Sequence, residues 1–125
     1  MSYVANLERL LERVFERSSA RLFRTRIQVV QLERRVERAM EHARLAGDGR
    51  TDVPSRYRVR LEPRDLAAVA EQAGGAEALA GRLADAALAF ARAHGYHLAG
   101  RPTVSLIADP AVAPGEIAVD SIRFR

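Results

Sequence analysis

A chain of 125 residues, 48% of them apolar, is long enough to bury one core and too short for two ordinary domains, so a single domain over 1–125 is expected. The absence of cysteine excludes disulfides, thiolate metal sites and a thiol nucleophile, and agrees with a reducing, cytoplasmic setting. All 20 basic residues are arginine; they outnumber acids 14 to 8 in positions 1–60 but number 6 against 8 in 61–125, so an anionic partner should meet the N-terminal half first.

From Tyr3 to Phe23 the residues Val4, Leu7, Leu11, Val14 and Leu22 recur at helical spacing, with Leu10 and Phe15 widening the stripe. This predicts an amphipathic helix. Charge breaks the segment too often for a signal peptide, and no run nears the roughly 18 to 20 apolar residues of a membrane span. After Arg24-Thr25-Arg26, a second stripe through Val29, Leu32, Val36, Ala39, Met40 and Ala43 predicts a helix over roughly 28–45 that Gly47 ends.

Both helices carry a Glu-Arg pair every four residues: Glu8-Arg9, Glu12-Arg13 and Glu16-Arg17, then Glu33-Arg34 and Glu37-Arg38, with Glu41-His42 completing the series. At about 3.6 residues per turn this sets a carboxylate row beside a guanidinium row. A solvated, salt-bridged face accounts for it; a charged interface, including one between copies of the chain, is the sharper reading.

Ala46–Ser55, "AGDGRTDVPS", is rich in turn formers and reads as a loop. "SRYRVRLEP" then alternates Arg56, Arg58 and Arg60 with Tyr57, Val59 and Leu61, a strand over about 56–62 with its guanidinium groups on one face. Pro63 suits a first helical turn, and Leu66, Val69 and Ala70 mark a short helix that Gly74-Gly75 breaks. Leu79, Leu83, Ala86 or Ala87, Phe90 and Ala91 mark a central buried helix from Ala76 to about His94, capped by Gly95. Two strands follow, at roughly 102–108 and 116–124. In the last, Ile117 and Val119 differ in parity from Ile122 and Phe124, so a bulge near Asp120 or Ser121 is expected. The fold class is α+β in the order α-α-β-α-α-β-β: a helical pair over 1–46, then, over 56–125, a mixed or antiparallel three-stranded sheet packed with helices. The order β-α-α-β-β is that of a KH-like core.

No catalytic constellation is legible, so no enzyme is expected. His94 and His97 flank a helix end without a third ligand, and His42 lies elsewhere, so no metal or other cofactor is assigned. Neither Gly74-Gly75 nor Gly47-Asp48-Gly49 has the context of a phosphate loop. What remains is surface: Arg24, Arg26, Arg56, Arg58 and Arg60 form the candidate docking surface. They serve as a solvated face, a protein-docking site or a phosphate-binding patch. Against nucleic acid, the turn "AGGAE" lacks the GxxG of KH domains, and the aromatic residues fall mostly at core positions.

Three segments together resemble one family. "ARLFRTRIQVVQLERRVERAM", Ala20–Met40, has an Ala-Arg-aliphatic-Phe turn, a gap, an isoleucine and an acidic-basic helix. "VPSRYRVRLEPRDL" supplies Pro54, Tyr57, Val59, Leu61 and Asp65, and "HGYHLAGRPTVSL" supplies Gly95, Tyr96 and Gly100. Over about residues 5–125 the chain resembles the N-terminal domain of the bacterial FHA-domain protein A, the FhaA N-terminal domain. The resemblance implies a non-enzymatic adaptor with no catalytic residues to carry over. It also implies Ser/Thr-kinase signalling and control of cell-wall synthesis, through a phosphothreonine-binding FHA domain that follows a flexible linker. This chain ends at Arg125 without that module, so an excised or stand-alone domain is expected and phosphothreonine recognition is not assigned to it. A protein partner is the leading expectation; a KH-like nucleic-acid binder is the alternative.

Overall fold

A computed structural model of the chain describes residues 26–123. The expected first helix and its Glu-Arg pairs lie outside the described residues. Helix α1 spans Val29–His42 and buries Val29, Leu32, Val36 and Met40, the stripe read from the sequence. Gln28 and Gln31 close a reciprocal cap at its start. It ends at Ala43 and not at Gly47, because the chain turns directly into a strand at Leu45.

The expected loop 46–55 is a correction. Strand β1 (Leu45–Gly47) pairs antiparallel with β2 (Arg50–Val53), with Gly47 opposite Arg50. The two residues between them are Asp48 and Gly49, and Gly49 takes φ 79°, the left-handed conformation that a tight hairpin turn requires. The turn formers therefore mark the tip of a hairpin. A short β4 (His97–Leu98) adds parallel to β2, giving a small sheet β1-β2-β4.

The main sheet has the order β5-β3-β6. β3 (Arg56–Leu61) is central; β5 (Thr103–Ala108) runs parallel to it and β6 (Ala118–Ile122) antiparallel. A parallel neighbour needs a long crossover, supplied here by α2 (Pro63–Ala73) and α3 (Ala76–Ala93). The Glu62 carboxylate caps α2, accepting from the N–H groups of Arg64 and Asp65 at 2.9 and 3.1 Å. Gly74 (φ 95°) and Gly75 (φ 123°) then reverse the chain, and the Gly75 N–H donates to the Ala70 carbonyl at 2.8 Å to close the helix end.

The three helices cover one face of the main sheet. Tyr57, Val59 and Leu61 point into that core, with Leu79, Leu83, Ala87 and Ala91 from α3, Val69 from α2 and the α1 stripe. The register from Ala118 opposite Arg60 to Ile122 opposite Arg56 is unbroken, so the expected bulge is absent. Val119 and Ser121 consequently share the core parity of Val59 and Tyr57, while Ile122 lies across from Arg56 on the other face. Phe124 lies outside the described residues.

Candidate docking surface

Arg56, Arg58 and Arg60 do lie on the sheet face turned away from the helices, beside Thr103, Ser105 and Ile107 of β5 and Ile122, Asp120 and Ala118 of β6. Their surroundings differ. Arg60 donates from Nε to Asp120 at 3.0 Å and from a terminal nitrogen to Asp109 at 3.0 Å, so one guanidinium ties together both outer strands. These two carboxylates raise the Arg60 pKa further. Asp109 is held below the usual carboxylate range, first by the Ala111 N–H that donates to it at 2.9 Å and then by Arg60. Arg60 is thus a strut of the sheet with little capacity left for an outside anion. Arg58 is half-buried and Arg56 exposed. Arg26 is exposed just before the Gln28 cap of α1, away from the strand row in the chain. Arg24 lies outside the described residues.

Two residues of the segment "VPSRYRVRLEPRDL" have local work that explains their spacing. The Tyr57 hydroxyl, fully buried, donates to the Pro54 carbonyl at 2.7 Å, which pins the turn entering β3; burial pushes its pKa well up. The Asp65 carboxylate accepts from the Gly115 N–H at 2.8 Å, tying the start of α2 to the loop before β6.

The larger surprise is on α1. Its buried stripe divides the charges that the sequence sets side by side. The carboxylates face α3: Glu33 pairs with Arg82 at 3.1 Å, and Glu41 accepts from the Tyr96 hydroxyl at 2.9 Å while pairing with Arg44 at 2.8 Å. Glu37, between them, is raised by burial and by neighbouring Glu33, with Arg34 and His94 opposing. The acidic row is therefore a half-buried seam, salt-bridged as expected but to Arg82 and Arg44 and not to the arginines beside it in the helix. His94 stacks between Phe90 and Tyr96, its Nδ1 2.9 Å from the Phe90 carbonyl, the ordinary role of a histidine at a helix end.

On the other flank of the stripe, Arg35, Arg38 and His42 face β6 across an open groove of about 410 Å³ floored by Ala39, Val119 and Ser121. Arg34, Arg35 and Arg38 form no ion pair among the described residues. Sequence reasoning missed this basic flank. The signal was present in the helical angle of each charge relative to Leu32, Val36 and Met40, but what covers each flank depends on elements more than forty residues away.

Among the described residues no group of three or more His, Cys, Asp or Glu is placed to hold a metal ion, and no helix is long and apolar enough to cross a membrane. No curated protein matches the chain. A solved structure described as the Rv0020c N-terminal structure superposes with a TM-score of 0.68 at 17% identity, over 82% of this chain and 76% of that one, a likeness of fold. The family model described as "FhaA, N-terminal domain" matches residues 4–120. With nearly its whole length matched, and the proline-tyrosine turn and α2 aspartate each holding a structural bond, the chain belongs to the FhaA N-terminal domain family.

Proposed function

We propose that this domain is a non-enzymatic protein-interaction module, an adaptor of an FHA-linked Ser/Thr-kinase signalling system in the cytoplasm, acting in cell-wall regulation. Family membership supports the setting. One observation carries the docking role: α1 turns its half-buried carboxylates towards α3 and Tyr96 and, among the described residues, leaves Arg34, Arg35 and Arg38 without an ion pair, so a helix balanced in sequence presents one sign of charge on its outer side. Such a face steers and orients an oppositely charged partner.

The test is affinity enrichment of the full chain from its source lysate with quantitative mass spectrometry, against an unrelated basic domain as control bait. Reproducible enrichment of kinase, FHA-containing or cell-wall-synthesis proteins is the expected result. If nothing rises above the control, the adaptor reading fails.

The order β3-α2-α3-β5-β6 within the main sheet and its helices, with the short β4 set apart in the other sheet, supports the alternative, a KH-like nucleic-acid binder. Against it, the α2–α3 turn is Gly74-Gly75 without GxxG, and Arg60 is held by two carboxylates. Titration with single-stranded RNA and duplex DNA decides: affinity that collapses with added salt favours this alternative.

A further inference from the structure

The main sheet has two edges, and they are not equivalent. Both α2 and α3 pack over β5, which is also bracketed by Pro102 and Pro110. Among the described residues β6 pairs only with β3 and has α1 as its helical neighbour, set back by the groove. In an antiparallel ladder, alternate residues bond the neighbouring strand and the others turn N–H and C=O outward, so an uncovered edge is a template for another strand. Nothing among the described residues pairs with the outer edge of β6.

The groove has a direction and a charge. A second lobe of about 300 Å³ continues it past Arg35 to Gln31 and Arg34 on α1, facing Glu116 and Ile117. Arg34 and Arg35 lie by residues 115–117, and Arg38 and His42 lie by Val119 and Ser121, so α1 and β6 run in the same direction. Beyond β6 the Arg123 guanidinium donates to the Ala43 carbonyl and closes that end. Of the residues lining the two lobes, Glu116 is the single carboxylate. No Phe, Tyr or Trp lines either lobe and His42 is the single ring there, so successive bases find no row of rings to stack on.

We propose that β6 accepts an extended, acidic segment of a partner protein as an added strand, with alternate carboxylates turned into the groove against Arg35 and Arg38. The inference rests on the adaptor reading and names where and what the module binds. The spacing agrees. Alternate side chains of a strand repeat every ~6.6 Å, and steps of three or four residues along α1 advance ~4.5 to 6 Å, so two successive carboxylates stay within reach of successive arginines. The main-chain bonds supply affinity and the arginines select acidic sequence.

The probe is a fluorescein-labelled peptide of about ten residues alternating Glu and Val, long enough to pair with a short strand. Binding to the full chain is followed by anisotropy at low and near-physiological salt and mapped by amide hydrogen exchange. Saturable binding with new protection confined to residues 118–122 is expected, and a Lys-Val peptide should fail to bind. Arg35→Glu/Arg38→Glu, at positions outside the buried stripe and checked for folding by circular dichroism, should weaken binding at least about tenfold. Unchanged affinity in that variant overturns the proposal, as does protection on the Arg56–Arg58 face. Displacement of the peptide by RNA at near-physiological salt overturns the choice of an acidic polypeptide. If lysate partners are captured equally by the parent and the double variant, the groove is overturned while the adaptor reading stands; if neither captures any, the adaptor reading itself has failed.

Discussion

Arg60 and Arg58 are two residues apart on one strand and face the same way, yet only Arg60 has carboxylates from two other segments, Asp109 and Asp120, at 3.0 Å each. Because Asp109 is held below its ordinary range, its charged form favours the folded state. That contribution is complete above the unfolded carboxyl's range, shrinks as pH falls through it, and vanishes below the folded value. Asp109→Asn should therefore be less stable than the parent at neutral pH, with the gap closing in acid. Urea denaturation between about pH 7 and about pH 2 reads this out, and a gap that stays constant would show that charge is not the cause. Tyr57→Phe tests a buried device. Losing the hydroxyl leaves the Pro54 carbonyl without its partner and should cost about 1 kcal/mol. Thermal denaturation should show a lowering of several degrees.

At the scale of elements, the α2–α3 reversal concentrates backbone constraint in two consecutive residues. Gly75 has φ 123°, where an L side chain is strained even though nothing lies within 4 Å of an added Cβ. Gly75→Ala should destabilise by ~1–2 kcal/mol. Gly81, inside α3 and also with open space around an added Cβ, makes the control. There the same change should stabilise by ~0.5–1 kcal/mol, because alanine restricts the unfolded chain and favours helix. Opposite signs in chemical denaturation are the expected result; equal signs would refute the assignment of strain to the turn. The same turn sets α2 against α3 over β5, while α1 packs on the same face towards the other edge, beside β6.

For the whole molecule, the order β5-β3-β6 puts β3 between two partners and under three helices, while β1 is exposed at all three positions. Amide exchange should be slowest at Tyr57, Val59 and Leu61 and fastest at Leu45 to Gly47, with β6 protected only where it pairs with β3. Comparable protection across both sheets would contradict this hierarchy. The charge excess of the N-terminal half has its described counterpart in one flank of α1, since Glu33, Glu37 and Glu41 are turned into the α3 seam.

The elements whose burial follows a local period were legible in advance. The α1 stripe, the alternation of β3 and the α3 ladder of Leu79, Leu83, Ala87 and Ala91 each follow from helical or strand geometry acting on neighbouring residues. The hairpin at Asp48-Gly49 was also written locally, but its turn formers were read as loop because its strands are short and mostly exposed. The side-chain rows of α1 and β3 could be drawn from the sequence, though not what each row would meet. Asp109 and Asp120 reach Arg60 across 49 and 60 residues, and Arg82 and Tyr96 reach α1 across 49 and 55. Such pairings depend on the packing order of the elements, which periodicity does not encode, and among the described residues that order leaves Arg35 and Arg38 without an ion pair beside an open strand edge while Arg60 becomes a strut.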